Sequence, residues 1–124
     1  ASIARDAVGS RRQRLADSYA LIAEHEDSLL RRLETVISDL DGVTNWSRAS
    51  RRTPTLLLTF ADRPAASVAA RLLEADVLAP AGHFYAWEAS QLLGLGAEGG
   101  LRIGLAPYTS ADDVDRLLEV LRAL

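Results

Sequence analysis

The chain has 124 residues, enough for one ordinary domain and too few for two. It is 48% hydrophobic and 25% charged with a net charge of −3, so it lacks the basic excess that holds phosphate backbones. Its apolar runs fall far below the ~20 residues that cross a bilayer, and without cysteine it has no disulfide, thiolate metal site or cysteine nucleophile. We therefore expect a cytoplasmic protein with neither a nucleic-acid nor a membrane partner.

The first 41 residues predict one long helix. Apolar residues recur there at spacings of three, four and seven, with charged residues largely on the other side, and Gly42 is a typical stop. His25 lies among carboxylates on the charged side, where a surface position is a better interpretation than a metal ligand. The predicted apolar face consists of Leu15, Tyr19, Ile22, Leu29, Leu33, Ile37 and Leu40.

Strands and helices alternate in the rest of the chain. The segment 53–60, "TPTLLLTF", is the clearest strand, and Pro64 suits the first turn of the next helix. The predicted strands are 42–46, 53–60, 77–80 and 99–107, and the predicted helices are 65–76, 86–95 and 110–124. The expected core-facing residues are Val68, Leu72 and Leu73 in the first of these helices, and Val114, Leu117, Leu118 and Leu121 in the last, which Ser110 caps.

This order predicts an α+β fold: a two-layer sandwich of a small, mainly antiparallel sheet with helices packed on one face, preceded by the long N-terminal helix. We expect a single domain over residues 1–124, with residues 1–41 as a connecting helix and residues 42–124 as the α/β sandwich.

Two motifs invite a functional interpretation. The segment "GLGAEG" (94–99) matches a dinucleotide-binding pattern, but a helix precedes it and a strand follows, the reverse of what a pyrophosphate site needs. Arg102 stands in a strand between apolar neighbours, and its planar guanidinium suits bidentate binding of a carboxylate. From the residues alone, an arginine on an edge strand with its head in water is the favoured alternative.

Three segments in order resemble a known family: "RRTPTLLLTF", "AGHFYA" and "LRIGLAPYTSADDVDRLLEVL". They resemble the C-terminal small domain of class V aminotransferases, pyridoxal-phosphate enzymes of fold type I, and within these the cysteine-desulfurase-like branch. The specific parts are the Gly-His loop and an arginine followed six places later by a tyrosine, Arg102 and Tyr108.

The resemblance implies a division of labour between two domains. A large domain would bind pyridoxal 5'-phosphate through a Schiff-base lysine, and this small domain would close over the site, with Arg102 binding the carboxylate of an amino-acid substrate. All 14 basic residues here are arginine, so the chain has no lysine of its own, and we expect no activity from it alone. The resemblance also implies a homodimer.

The loop departs from the family pattern at one position. Similar desulfurases have Gly-His-His-Cys-Ala, whose cysteine accepts sulfur as a persulfide, whereas this loop has Gly82, His83, Phe84, Tyr85 and Ala86. A phenol cannot form a persulfide, so the resemblance does not extend to that step. Either the loop borders the cofactor site with Tyr85 as a hydrogen-bond donor or wall, or its aromatic residues anchor it to the core.

Two functions follow. The first is the small domain of a pyridoxal-phosphate aminotransferase or desulfurase-like lyase that acts on an amino acid. The alternative is a stand-alone α+β module that binds a ligand or dimerises without catalysis.

Overall fold

A computed structural model describes residues 9–124, which form four helices and one four-stranded sheet in the predicted order. The expected α+β class is confirmed. The helices are α1 (Arg11–Ser38), α2 (Ala65–Glu74), α3 (Trp87–Leu92) and α4 (Ala111–Arg122), and the strands are β1 (Val43–Asn45), β2 (Thr55–Phe60), β3 (Ala81–Gly82) and β4 (Gly100–Gly104).

Only the second half of α1 reaches the core. Ser10 caps the helix by accepting a hydrogen bond from the Gln13 backbone N–H at 3.3 Å. Leu29, Leu33 and Ile37 are buried as their spacing predicts. Among the earlier members of the apolar stripe, Leu15 and Tyr19 are exposed and Ile22 is half-buried.

The sheet is antiparallel throughout, with strand order β1-β2-β4-β3. Leu56 pairs with Ile103 and Leu58 with Leu101, and all four side chains are buried on the same face of the sheet. The helices α1, α2 and α4 cover this face, because the buried residues of all three join the same core cluster.

The closing helix α4 has the predicted cap and core face. The Ser110 hydroxyl accepts the Asp113 N–H while the Asp113 carboxylate accepts the Ser110 N–H, which satisfies two donors at the helix start. All four predicted core residues of α4 are buried: Val114, Leu117, Leu118 and Leu121.

The prediction for α2 was wrong at one position. Val68 and Leu72 are fully buried, but Leu73 is 61% exposed. Ala65 completes the buried face instead, since residues at i, i+3 and i+7 share one side of a helix and Leu73 is rotated about 100° from Leu72. Pro64 is the N-cap of α2 rather than a residue of its first turn.

The third strand lies later than predicted. Residues 77–80 are not a strand, and β3 comprises only Ala81 and Gly82. The Val77 N–H donates a hydrogen bond to the Leu72 carbonyl near the end of α2, and Pro80 has no N–H to donate to a neighbouring strand. The Pro80 carbonyl still accepts the Arg102 N–H at 2.8 Å, which guides the chain into pairing with β4.

Among the helices of residues 9–124, none has both the length and the apolar character needed to cross a membrane.

Candidate functional site

Arg102 lies on an interior strand of the sheet. Its strand β4 stands between β2 and β3, Arg102 is paired with Leu57, and its N–H is bonded to the Pro80 carbonyl. The favoured sequence interpretation of an edge-strand arginine was therefore wrong about the edge, although the side chain is exposed.

Strand alternation turns Arg102 away from the core. Leu101 and Ile103 are buried against the helices, so Arg102 points to the opposite face of the sheet. Its neighbours on that face of β4 are Gly100 and Gly104, which have no side chains. Arg102 is therefore exposed on the face that α1, α2 and α4 do not cover.

The surroundings of the two flanking glycines, Gly100 and Gly104, differ. A Cβ at Gly100 would lie 2.8 Å from the Leu58 carbonyl oxygen, so close strand packing requires glycine there. A Cβ at Gly104 would have no atom within 4 Å, and its backbone is not in the left-handed region. Within the described chain, neither packing nor conformation explains glycine at position 104, and such a residue often marks close approach of a ligand or a second backbone.

The charge of Arg102 is not neutralised within the described chain. No carboxylate of residues 9–124 forms an ion pair with it, whereas Arg52 pairs with Glu34 and Arg32 with Asp115. Its guanidinium carbon lies 4.3 Å from the centre of the Phe84 ring, a cation–π contact. The N–H donors at the edge of the guanidinium thus remain available to an anion.

The loop that supplies Phe84 has an unusual backbone. Phe84 and Tyr85 have φ angles of 50° and 64°, in the left-handed region that non-glycine residues seldom adopt. The Ala86 N–H donates to the His83 carbonyl at 2.8 Å and closes the turn. A Cβ at Gly99 would collide with the Gly82 carbonyl, so this loop is held tightly against the start of β4.

The loop residues point in three directions. Phe84 is half-buried over Arg102, whereas Tyr85 is fully exposed at the tip of the turn. His83 turns inward and packs edge-to-face on Trp87 with ring centres 5.4 Å apart, and its Nδ1 is buried without a hydrogen-bond partner in the described chain. The structure therefore brings Phe84 and Arg102 together, and the interpretation of Tyr85 as a core anchor was wrong.

The short helix α3 flanks this loop. A cavity of about 60 Å³ lies between them and is lined by Leu57 of the sheet together with Ala89 and Leu93. Because Leu57 faces the same side as Arg102, α3 lies beside the face of the sheet that presents the arginine.

The "GLGAEG" segment connects α3 to β4, as predicted. A helix therefore precedes the glycines and a strand follows them, so no helix N-terminus of this segment faces a phosphate site.

Tyr108 and Thr109 lie between β4 and α4. Tyr108 is almost fully exposed in the turn before α4, beside a groove of about 480 Å³ that Leu78 and Asp76 also line. The Thr109 hydroxyl accepts the Ala106 N–H at 2.9 Å, and its carbonyl lies 2.8 Å from His25 Nε2. Thr109 therefore stabilises the turn and joins it to α1.

His25 is exposed on α1, and its Nε2 forms a hydrogen bond with the Thr109 carbonyl. Within residues 9–124, no group of three histidine, aspartate or glutamate side chains is arranged to hold a metal ion.

Sequence reasoning missed two features of this site, the stacking of Phe84 on Arg102 and the open space at Gly104. The glycines two places either side of Arg102 were a usable indication, because alternation places all three residues on the same face. The stacking had no such local indication, since Phe84 is 18 positions away and reaches Arg102 only through the fold.

Comparison with known proteins identifies relatives of this fold and sequence. The family "Aminotransferase class-V" matches residues 16–117. A curated protein from Pseudomonas putida, described as a probable cysteine desulfurase, is 35% identical over 107 residues, which cover 85% of this chain and 25% of that protein. The chain thus spans a quarter of the length of this relative.

Solved structures show the same fold. A cysteine desulfurase from Thermococcus onnurineus NA1, solved in its apo form, aligns with a TM-score of 0.77 at 20% identity, covering 91% of this chain and 29% of its own. A cysteine desulfurase from Escherichia coli aligns with a TM-score of 0.69 at 24% identity, covering 95% and 31%. At these identities the likeness concerns the fold alone.

Proposed function

This chain belongs to the class V aminotransferase family, and from that membership we propose that it is the small domain of a longer pyridoxal-phosphate enzyme acting on an amino acid. The reaction would be of the aminotransferase or desulfurase-like lyase type. The role of this domain is to bind and orient the carboxylate of the substrate through Arg102.

One observation supports this role above the others. Arg102 is exposed on an interior strand, has its guanidinium carbon over the Phe84 ring, and has no carboxylate partner within residues 9–124. A guanidinium offers parallel N–H donors that match the two oxygens of a carboxylate. Its open edge is therefore suited to the group that all α-amino acids share.

The residues of this site fit a substrate more closely than they fit the cofactor itself. Pyridoxal phosphate, when bound, supplies an electron sink for the α-carbon of the substrate. The chain has no lysine to bond it, so we assign that attachment to the large domain of the same enzyme. This domain would hold the substrate carboxylate in a fixed orientation, which aligns the bond to be broken with the ring of the cofactor.

Tyr85 favours chemistry without a persulfide at this loop. Its phenol is fully exposed and stands where similar desulfurases have cysteine, and a phenol cannot accept sulfur in that way. We propose that Tyr85 borders the substrate as a hydrogen-bond donor or as a wall, and that the loop Gly82, His83, Phe84 and Tyr85 forms one side of the active site. We also propose a cytoplasmic homodimer.

The test is recognition of a carboxylate by the longer enzyme. L-alanine and ethylamine differ by the carboxylate, and the binding of each can be followed through the absorbance of the cofactor. We expect Arg102→Ala to weaken L-alanine binding about 10- to 100-fold, the value of a charged hydrogen-bonded contact, and to leave ethylamine binding unchanged. Arg102→Lys should restore little, because a point charge lacks the bidentate geometry.

A matched control is Arg71→Ala, which removes an exposed arginine from α2, on the other face of the sheet. This variant should bind L-alanine normally. The proposal is wrong if Arg102→Ala retains the full preference for L-alanine over ethylamine.

The stand-alone module remains the second candidate because the chain has a core of its own. The coding sequence that precedes Ala1 discriminates between the two. A preceding domain with a lysine that binds pyridoxal phosphate supports the enzyme, whereas a start codon at this point supports the module.

A further inference from the structure

We propose that Phe84 is a positioning residue that holds the guanidinium of Arg102 ready to bind a carboxylate. This inference rests on the proposed function, because it concerns the same arginine. It assigns to the residue before Tyr85 a task that neither the loop motif nor the family match specifies.

The contact geometry favours positioning. The guanidinium carbon of Arg102 lies 4.3 Å from the centre of the Phe84 ring, close enough for the ring face to attract the cation. The Phe84 side chain has no oxygen or nitrogen atom that could accept a hydrogen bond, whereas the guanidinium carries five N–H donors. Phe84 can therefore restrain Arg102 without competing for the donors that a carboxylate needs.

Arg102 has little else to restrain it. Its neighbours on the same face of β4 are Gly100 and Gly104, its cross-strand neighbour Leu57 is apolar, and no carboxylate of residues 9–124 pairs with it. A free arginine side chain samples many rotamers, and ordering it on binding weakens affinity. Within the described residues, Phe84 is the one aromatic ring recorded over Arg102.

The backbone of the loop supports the same interpretation. Phe84 has a φ of 50°, a conformation that asparagine and glycine adopt more readily than phenylalanine. The turn closed by His83 and Ala86 directs the ring at Arg102, half-buried rather than in the core. The backbone conformation does not favour phenylalanine, so the contact of its ring with Arg102 is the better explanation for phenylalanine at this position.

The first test uses the 124-residue chain and NMR. The side-chain protons of Arg102 should show an upfield ring-current shift, and its Nε should show restricted motion. Both features should be lost in Phe84→Leu and kept in Phe84→Tyr. Unshifted, mobile Arg102 resonances in the unmodified chain would overturn the proposal.

The second test uses the longer enzyme and the preference for L-alanine over ethylamine. We expect Phe84→Leu to reduce this preference about two- to fivefold, which corresponds to an exposed cation–π contact, with ethylamine binding unchanged. Phe84→Asn should reduce it equally, even though asparagine suits the positive φ and relieves the backbone. Phe84→Tyr should restore it.

Trp87→Leu is the matched control, because Trp87 is the aromatic residue of the same segment that packs on His83 rather than on Arg102. The Trp87→Leu enzyme should keep the normal preference for L-alanine over ethylamine. If Trp87→Leu lowers the preference as much as Phe84→Leu does, the effect belongs to loop packing and the proposal fails.

The positioning role of Phe84 and the proposed function of Arg102 can be disproved separately. If Arg102→Ala removes the preference but Phe84→Leu and Phe84→Asn retain it, the positioning role is wrong and the proposed function stands. If Arg102→Ala itself retains the preference, the proposed function fails and the positioning role fails with it.

Discussion

At the scale of single residues, the two positions of β4 that flank Arg102 on the open face of the sheet have no side chains. Gly100 and Gly104 flank it on the open face of β4, and Gly82 pairs with Gly100 on the adjacent strand. The arginine is thereby the only long side chain of β4 on that face. An anion could approach it without displacing other atoms of the strand.

The two flanking glycines give a matched prediction. Gly104→Ala should leave the free energy of unfolding unchanged or raise it by about 0.5–1 kcal/mol, because its Cβ meets no atom within 4 Å and alanine restricts the unfolded chain. Gly100→Ala should destabilise the chain, since its Cβ would lie 2.8 Å from the Leu58 carbonyl oxygen. Urea unfolding of both variants checks this, and equal losses would contradict it.

At the scale of elements, caps and periodicity predicted where the helices lie better than they predicted which residues of each helix are buried. Helix α4 has its predicted cap and all of its predicted core face, whereas α2 exposes one leucine that was expected inside. The difference arises because α2 buries a narrow line of residues, Ala65, Val68 and Leu72, which leaves Leu73 outside. Helix α4 buries a wider face that includes the adjacent Leu117 and Leu118.

Those adjacent leucines allow a direct comparison. Leu72→Ala should lower the free energy of unfolding by about 2–5 kcal/mol, because Leu72 is fully buried against the sheet and its loss leaves a cavity. Leu73→Ala should change it by less than about 0.5 kcal/mol, because that side chain is 61% exposed. Comparable losses in chemical denaturation would mean that α2 is rotated from the orientation described.

The cap of α4 predicts a dependence on pH. The Ser110 backbone N–H, and then its hydroxyl, donate hydrogen bonds to Asp113 and hold the pKa of that carboxyl below its ordinary value of 3.8. Because the folded-state pKa is the lower one, this stabilisation is fully present above the unfolded pKa and is lost as the pH falls through the folded pKa.

Asp113→Asn should therefore lower Tm at neutral pH, and the difference from the unmodified chain should shrink as the pH falls below about 4. Asp112→Asn is the control, since Asp112 lies in the same first turn but makes no capping hydrogen bond in the described chain. A Tm difference that stays constant between neutral and acidic pH would rule out the carboxylate as its source.

At the scale of the whole molecule, one core joins the long helix to the sheet. Leu29, Leu30, Leu33 and Ile37 of α1 belong to the same buried cluster as β2, β4 and α4. The Arg32–Asp115 ion pair and the His25–Thr109 hydrogen bond also connect α1 to the C-terminal part. The second half of α1 is thus part of the packed domain, in addition to any connecting role.

This shared core predicts a single unfolding transition. Far-UV circular dichroism, to which α1 contributes strongly, and the fluorescence of Trp46 and Trp87 should give coincident urea curves. Leu33→Ala should shift both curves together and lower the free energy of unfolding by about 2–5 kcal/mol, because Leu33 is completely buried. An earlier transition by circular dichroism alone would show that α1 unfolds independently of the sheet.

The sequence by itself determined most of the architecture and the identity of the candidate site residues. Element order, the cap at Ser110 and the core face of α4 follow from local spacing and capping chemistry, which neighbouring residues are sufficient to define. The resemblance to class V aminotransferases likewise depended on short segments, and the family match confirmed it.

Only the tertiary structure decided how those residues meet. The interior position of β4 depends on pairing with β2 and β3, and the stacking of Phe84 on Arg102 depends on a loop held against Gly99. The exposure of Leu15 and Leu73 depends on which surfaces other elements cover. Strand order, loop direction and coverage are long-range properties, and local periodicity specifies which face of an element is apolar but not what will lie against it.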